Sequence, residues 1–220
     1  MKKLIFILLV LPLFVFSQAK TTGFKDSVLV GTTIQGIQMD SSKGVVLKGN
    51  ATCYDDLFFP TSLSNQAVIN YPLFVLDSNY YTYYIDTTNA GTKCITYYIV
   101  QMPHKWKEGS KIYPHFHYKH TTAQGTPTIK VKYKWYNIGS TINEGWRWLN
   151  MSTTTGTTNL SHQIAYSTLG ITATGKTISS ILLMEVYLGA TTGATKTCFG
   201  YQFDIHYEVD GFGSKTEYTK

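Results

Sequence analysis

From about residue 27 onward, short runs of alternating polar and apolar residues are separated by clusters of Gly, Asn, Asp, Ser and Thr. Successive side chains of a β-strand point to opposite faces, so a period of two predicts half-buried strands, and the clusters between the runs predict turns. No stretch carries an apolar stripe with the 3.6-residue period of an amphipathic helix. The pattern therefore predicts an all-β, antiparallel fold with at most one or two short helical turns.

The pattern predicts eleven short strands. They cover residues 32–39, 44–48, 71–76, 80–85, 94–102, 112–119, 128–136, 146–151, 163–167, 178–188 and 199–209. So many short strands are typical of a β-sandwich, and we expect a sandwich of jelly-roll type, whose two sheets close most strand edges. We expect this single domain to span residues 20–220.

The last predicted strand has the clearest division between its two faces. One face is apolar and the other polar, with Phe203, Ile205, Tyr207 and Val209 against Asp204, His206, Glu208 and Asp210. We expect the apolar face to pack inward and the polar face to meet solvent or a partner. The strand at 178–188 is apolar on both faces, which predicts a position in the middle of the core.

A row of three lysines marks the strand predicted at 128–136. Lys130, Lys132 and Lys134 share one face of this strand and alternate with apolar and aromatic residues. Because lysine side chains discourage pairing with another chain, such a row is typical of an exposed edge strand. The row therefore predicts an edge strand and a basic surface.

The N-terminus resembles a secretory signal peptide. Lys2 and Lys3 precede an unbroken apolar run at 4–16, and Ser17, Gln18 and Ala19 follow it. This run is shorter than the roughly 20 apolar residues of a membrane-spanning helix. We therefore predict a leader at residues 1–19. The alternative is an uncleaved apolar helix that is buried in an oligomer or lies on a membrane.

Composition and charge narrow the function classes only in part. Charged residues make up 15% of the chain, whereas 17 Tyr and 18 Gly favour strands and turns, which argues against a helical bundle. The net charge of +6 permits an acidic partner, but it is too small to predict nucleic-acid binding. Cys53, Cys94 and Cys198 are too few and too widely spaced for a disulfide framework or a zinc knuckle. Their odd number leaves at least one thiol unpaired within the chain.

Residues 170–177, Gly-Ile-Thr-Ala-Thr-Gly-Lys-Thr, match the phosphate-binding pattern G-x-x-x-x-G-K-[ST]. In a phosphate-binding loop, a parallel strand precedes the pattern and a helix follows it, so that backbone amides converge on the phosphate. Here the residues from Ile178 onward are typical of a strand. We therefore expect a hairpin turn at this place and no nucleotide binding.

The segment from Pro114 to Lys119 contains two histidines that could bind a metal ion. His115 and His117 lie two positions apart on one face of a strand, which is an acceptable spacing for two ligands. A third ligand would have to come from another strand, where Asp204, His206 and Glu208 are the candidates. Because histidine pairs at this spacing are common by chance, we expect no metal or other cofactor. His115, His117 and His206 remain the candidate ligands.

Signals of catalysis are weak. The chain has no Gly-x-Ser-x-Gly elbow and no cysteine with a recognisable helper residue. Asp55 and Asp56 are adjacent, so on a strand they point to opposite faces and cannot share a substrate. We therefore expect a protein that is not an enzyme. An enzyme would need a pocket in which His115, His117 and a carboxylate converge.

Aromatic clusters favour binding or assembly. Tyr and Trp side chains combine a broad apolar ring with one polar group, which suits both subunit contacts and stacking on sugar rings. The candidate surface residues are Tyr81, Tyr83, Trp146 and Trp148, together with Lys130, Lys132 and Lys134.

Three segments together resemble a known family. They are Tyr-Asp-Asp-Leu-Phe-Phe-Pro at 54–60, Gln-Met-Pro-His-Lys-Trp-Lys-Glu-Gly at 101–109 leading into Tyr-Pro-His-Phe-His-Tyr at 113–118, and Phe-Asp-Ile-His-Tyr-Glu-Val-Asp-Gly-Phe-Gly-Ser at 203–214, with Glu-Tyr-Thr-Lys at 217–220. In this order they resemble small structural, virion-associated proteins of tailed bacteriophages and metagenomic viruses. The resemblance implies a jelly-roll protein of the capsid, neck or tail, in which 101–109 and 210–214 form turns.

The function that we expect is that of a non-enzymatic phage structural protein, located in the virion and bound to other virion subunits. A homo-oligomer is expected, with a trimer as the first candidate. The alternative is a secreted or cell-surface bacterial module that binds glycans or mediates adhesion through Trp146, Trp148 and exposed tyrosines. Virion subunits assemble in the cytoplasm and need no export signal, so the secreted or cell-surface location applies if the leader at 1–19 is cleaved.

Overall fold

A computed structural model describes residues 27–40, 44–59, 73–77, 80–86, 94–120, 129–143, 145–153, 162–188, 197–214 and 217. These residues contain thirteen strands and a 3-10 turn at Gly49–Ala51. The strands are β1 (Ser27–Gly31), β2 (Gly36–Asp40), β3 (Gly44–Lys48), β4 (Cys53–Phe59), β5 (Leu73–Asp77), β6 (Tyr80–Asp86), β7 (Cys94–Gln101), β8 (Ile112–His120), β9 (Ile129–Tyr136), β10 (Arg147–Thr153), β11 (His162–Tyr166), β12 (Ile181–Leu188) and β13 (Thr197–Val209).

The predicted all-β, antiparallel fold is confirmed. No α-helix occurs in the described residues, and every pair of neighbouring strands within them runs antiparallel. The same part of the chain contains no helix with the length and apolar character needed to cross a membrane. The predicted leader at 1–19 lies outside the described residues.

The strands form a small sheet and a large one. β1, β2 and β3 make the small sheet, and the large, ten-stranded sheet has the order β5-β6-β13-β8-β11-β10-β9-β12-β7, with β4 also paired to β13. β10 joins two halves of the large sheet, because its first residues pair with β9 and its last two pair with β11. Tyr98 of β7 stacks on Phe203 of β13 with ring centroids 4.5 Å apart, although these strands are not neighbours. The sheet therefore curls around one core in a sandwich-like manner.

The core is formed by the inward faces of both halves. The predicted apolar face of β13 is confirmed, since Phe203, Ile205, Tyr207 and Val209 are all buried. The central position of β12 is also confirmed, because it lies between β7 and β9 and buries Leu182, Met184 and Val186. The expectation for the outer face of β13 is wrong at one position: Asp204 is 2% exposed.

β9, which carries the lysine row, is not an edge strand. It pairs along its length with β12 and over five residues with β10. The lysines lie on the outer face of the sheet, and the prediction of an edge is wrong because strand order depends on distant pairings rather than on the composition of one strand.

Two strands lie where the pattern predicted none, and β2 and β12 each begin a few residues later than expected. β1 and β4 were not predicted, and β2 begins at Gly36 because the residues before it form a turn, in which Thr32 N donates to the carbonyl of Gln35 at 2.6 Å. Along β4, Asp55 is turned toward Tyr207 and Asp56 toward His206, so the prediction that these carboxylates face opposite sides is confirmed.

The segment that matches the phosphate-binding pattern is a connection rather than the expected hairpin. It joins β11 to β12, which are not neighbours in the sheet. Gly170 has a φ of +64°, and a Cβ placed on it would lie 2.8 Å from the carbonyl oxygen of Ile112. Lys176 Nζ donates to the carbonyl of Trp135 at 2.6 Å. A close backbone approach and a lysine contact thus account for these residues, and an antiparallel strand follows the motif where a phosphate loop has a helix.

The three segments that carry the family resemblance meet at one corner of the fold. β4 and β8 flank β13 on either side, and the loop that follows β7 packs against the end of β13. In this loop Trp106 is fully buried, Lys105 forms an ion pair with Asp55, and Lys107 Nζ lies 2.7 Å from Glu208 Oε1. His104 bridges the hydroxyls of Ser179 and Ser214.

Candidate functional site

A cluster of histidines and aspartates lies on the outer face of β4, β13, β8 and β11. In the strand register, Asp204 lies opposite His115, and His206 lies opposite Asp56. Because facing residues of antiparallel strands point to the same side of a sheet, four strands deliver polar groups to one place. We name His115, Asp204 and His206 the histidine–aspartate cluster; the flanking groups are Asp56, His117 and His162.

Short distances connect the groups of the cluster. His115 Nδ1 lies 3.0 Å from His206 Nε2. Asp204 reaches both imidazoles, with Oδ1 3.8 Å from His115 Nδ1 and Oδ2 3.8 Å from His206 Nε2. On one side, His206 Nε2 lies 2.9 Å from Asp56 Oδ1. The three central residues offer ligand atoms within 4.8 Å of one another.

Asp204 is the most deeply buried group of the cluster. Its side chain is 3% exposed, although it lies on the outer face of the sheet, where the surrounding imidazoles cover it. Oδ1 has no hydrogen-bond partner within the described part of the chain. Burying a carboxylate without full compensation is costly, so a buried acceptor of this kind is a feature that needs a physical explanation.

Burial also affects the protonation of His115. Loss of hydration lowers the pKa of His115 below its ordinary value, and the neighbouring His206 lowers it further. The charge of Asp204 opposes this effect in part. The neutral form of His115, with one nitrogen lone pair free to accept a proton or a metal ion, is therefore favoured.

His117 belongs to the edge of this arrangement. Its Nε2 lies 3.4 Å from Asp204 Oδ2, and its Nδ1 lies 2.8 Å from His162 Nε2. His117 and His162 line a shallow groove together with Lys119, Tyr201 and Gln202. The groove adjoins the cluster and is open to solvent.

The structure brings together some of the candidates from the sequence and separates others. His115 and His206 meet at Asp204, but Glu208 does not join them, because it binds Lys107 Nζ and accepts a hydrogen bond from Thr52 Oγ1 at 2.6 Å. The sequence did not place Asp56 in this cluster, because β4 was not predicted as a strand. It did not place His162 there either, because the strand predicted at 163–167 begins one residue after it. The only available signal was alternation along 53–59, which places Asp56 on the outer face.

A second surface lies on the other half of the large sheet, and it contains the predicted lysines and tryptophans. Lys132 Nζ lies 4.5 Å from the ring centroid of Trp146 and 5.9 Å from that of Trp148. Lys134 Nζ lies 4.9 Å from Trp146. The strand register explains why the lysines and tryptophans are close together, because Lys132 lies opposite Trp148 in the β9–β10 pair. We name Lys132, Lys134, Trp146 and Trp148 the lysine–tryptophan face.

Two buried polar residues of β12, Glu185 and Tyr187, contact the groups of this face. Lys132 Nζ lies 3.1 Å from Glu185 Oε2, and the Tyr187 hydroxyl donates to the same oxygen. Burial and the contact with Glu185 raise the pKa of Tyr187 well above its ordinary value. Tyr187 also packs against Trp148, with ring centroids 5.0 Å apart. The sequence did not predict the roles of Glu185 and Tyr187, because both lie in a strand that is otherwise apolar.

The remaining candidates are only partly described. Lys130 is exposed on β9 and lies opposite Tyr187. Tyr81 and Tyr83 belong to β6, but their side chains lie outside the described part of the structure, so their proposed surface role stays a prediction. Cys53 is an exposed, free cysteine.

Fold and sites together define an antiparallel β-protein that presents one polar, histidine-containing face and one basic, aromatic face. Comparison with protein-family models, with curated proteins and with solved structures finds no match to the chain.

Proposed function

We propose that the protein is a non-enzymatic structural component of a tailed-phage particle. In this proposal it is a jelly-roll β-sandwich that acts through contacts with copies of itself and with neighbouring subunits of the capsid, neck or tail. In this proposal the protein is located in the particle, and a homotrimer is the first candidate for its oligomeric state.

The lysine–tryptophan face is the observation that carries this proposal. Trp146 and Trp148 are 36% and 52% exposed, so a considerable part of each indole ring is open to a partner. Ile138 and Ile142, both exposed, lie in the connection from β9 that leads to Trp146. Aromatic residues are enriched at the centres of protein interfaces, where their burial contributes much of the binding energy.

The corner that carries the family resemblance supports the same proposal in a different way. Trp106 and the Lys105–Asp55 ion pair hold the loop after β7 against β13 and β4. These residues build the framework of the fold, so a resemblance in them concerns architecture rather than a reactive site. An architectural resemblance to virion proteins is what a structural role would produce.

Mass spectrometry of purified particles tests the proposal directly. Particles from a culture that carries the gene should contain the protein in stoichiometric amounts, and the N-terminal peptide would show whether residues 1–17 are retained. Absence of the protein from the particles would contradict the virion assignment.

A pair of variants tests the role of the face. Trp146→Ala combined with Trp148→Ala should reduce incorporation into particles and shift the purified protein to a smaller species in analytical ultracentrifugation. Leu169→Ala removes a side chain that is 73% exposed on the connection between β11 and β12, and it serves as the control. Equal assembly of the double variant and the control would exclude the face from assembly.

Charge reversal separates the lysines from the tryptophans. Lys130→Glu with Lys134→Glu leaves the Lys132–Glu185 pair intact, so it should weaken contacts with an acidic partner without loss of folding. Incorporation at the wild-type level would remove these two lysines from the interface.

The alternative is a secreted or cell-surface module that binds glycans. Exposed indoles beside lysine ammonium groups favour it, because sugar rings stack on aromatic faces while polar groups hydrogen-bond their hydroxyls. A glycan array separates the two functions: binding that is lost in the Trp146→Ala and Trp148→Ala double variant would support the module. Portal, capsid or tail genes next to this gene would support the virion, whereas polysaccharide-utilisation or secretion genes would support the module.

A further inference from the structure

We propose that the histidine–aspartate cluster is a binding site for a divalent transition metal ion of the zinc type. The ligands are His115 Nδ1, His206 Nε2 and a carboxylate oxygen of Asp204. The site goes beyond the proposed structural function and does not depend on it.

The spacing of the three ligand atoms fits a single small ion. The two imidazole nitrogens are 3.0 Å apart; Asp204 Oδ1 lies 3.8 Å from His115 Nδ1, and the other oxygen of the same carboxylate, Oδ2, lies 3.8 Å from His206 Nε2. Ligands that surround zinc as a tetrahedron at about 2.0–2.1 Å lie roughly 3.3 Å from one another. The observed distances bracket this value, so small rotations of the side chains would bring all three atoms to coordination distance.

The buried carboxylate of Asp204 supplies an independent reason. Its Oδ1 is buried and has no hydrogen-bond partner in the described part of the chain, although the side chain points into the cluster. A buried carboxylate is tolerated when it is paired with a cation or coordinates a metal. A metal ion is a cation that this carboxylate and the two imidazole nitrogens can share.

The crowding of lone pairs around His206 Nε2 points in the same direction. This nitrogen lies 3.0 Å from His115 Nδ1 and 2.9 Å from Asp56 Oδ1. If Nε2 carries a proton, this N–H can donate with good geometry to only one of the two atoms, and if it carries none, its lone pair faces a lone pair of the Asp56 carboxylate. A cation among the three atoms attracts all of the lone pairs at once.

The donor set selects the class of ion. Two imidazole nitrogens and a carboxylate oxygen are ligands typical of zinc and its neighbours in the periodic table, whereas Mg²⁺ and Ca²⁺ prefer oxygen ligands. The carboxylates of Asp204 and Asp56 add negative charge next to the site. Because His115 comes from β8 and the other two ligands come from β13, the ion would clamp these two strands together on the outer face.

Isothermal titration of the purified full-length protein with Zn²⁺ tests the site. The wild-type protein should bind about one Zn²⁺ per chain, and Zn²⁺ should raise its melting temperature, because a ligand that binds only the folded state stabilises it. His206→Ala and Asp204→Asn should each weaken binding by at least about tenfold. Mg²⁺ at the same concentration should not raise the melting temperature.

His162→Ala is the matched control. His162 lies on the same face and contacts His117, but it is exposed and does not belong to the central three. It should bind Zn²⁺ like the wild-type protein. His206 is part-exposed, so His206→Ala should fold even if Asp204→Asn does not. Its Zn²⁺ affinity can therefore be measured in either case.

Cobalt provides a second readout that is independent of stability. Co²⁺ bound by two imidazoles and a carboxylate should give visible absorption bands in the wild-type protein and in His162→Ala, and these bands should be lost in His206→Ala. Equal Zn²⁺ affinity of wild type and His206→Ala would overturn the proposal, as would an equal loss in His162→Ala, and the cluster would then be a hydrogen-bonded surface only.

Discussion

Lys132 and Glu185 form an ion pair on the outer face of the large sheet, in a place where neither side chain is freely solvated. Their side chains are 21% and 10% exposed, and Nζ lies 3.1 Å from Oε2. The indole rings of Trp146 and Trp148 and the Tyr187 hydroxyl surround the pair. This arrangement explains how a glutamate is accommodated in β12, a strand whose other positions are mostly apolar.

Removing one member of this pair should destabilise the protein. Lys132→Met removes the cation beside the nearly buried carboxylate of Glu185, so we expect a loss of about 1–3 kcal/mol in the free energy of unfolding. Urea denaturation measures the loss. Lys130→Met is the control, since Lys130 is exposed in the same row, and its effect should stay within about 0.5 kcal/mol. Equal effects of the two variants would show that the ion pair does not stabilise the fold.

Two tryptophans on opposite sides of the sheet should respond differently to truncation. Trp106 is fully buried against Trp135, with ring centroids 5.6 Å apart. Trp106→Ala should therefore cost about 3–5 kcal/mol, because it opens a large cavity in the core. Trp148→Ala, at a half-exposed position, should cost at most about 1 kcal/mol. Comparable losses in thermal denaturation would contradict the assignment of Trp106 to the core.

Gly170 should tolerate a methyl group poorly. In Gly170→Ala the new Cβ would lie 2.8 Å from the carbonyl oxygen of Ile112 and 2.9 Å from the ring of Tyr113. Gly139 has a similar positive φ, but nothing lies within 4 Å of the corresponding Cβ position, so Gly139→Ala measures backbone strain alone. We expect Gly170→Ala to cost at least about 1 kcal/mol more than Gly139→Ala in urea denaturation. An equal cost would mean that the close approach is easily relieved.

Asp55 should contribute to stability in a manner that depends on pH. The hydrogen bond from Lys105 lowers the pKa of Asp55, and a second one from Tyr207 adds to this effect, whereas burial opposes it. The folded pKa thus lies below the unfolded value of about 3.9, so the contribution is present above that value and is lost as the pH falls through the folded pKa.

Urea denaturation of wild type and Asp55→Asn between neutral pH and the acid limit tests this expectation. The difference in stability between the two proteins should shrink as the carboxyl group becomes protonated. Lys105→Met should reduce the same acid dependence, because it removes the cation that lowers the pKa. A difference that stays constant down to the lowest pH would show that Asp55 does not titrate differently in the folded state.

Local patterns predicted the parts of the fold that depend on one strand at a time. The alternation along 203–209 identified the face of β13 that enters the core, and the adjacency of Asp55 and Asp56 predicted their opposite directions. Both follow from the geometry of a single strand. The candidate site was predicted in part for the same reason: His115 and His117 share a face because they are two residues apart.

Strand order and register depended on the tertiary structure. Only the folded chain places Asp204 opposite His115 and His206 opposite Asp56, and it buries Asp204 beneath imidazoles that come from another strand. It also makes β9 an interior strand, so that its lysines meet tryptophans instead of guarding an edge. The sequence by itself determined which side chains face inward on most strands, because alternation is local. The pairing of distant strands was decided by the packing of the whole core, which sums many contacts that no single segment encodes.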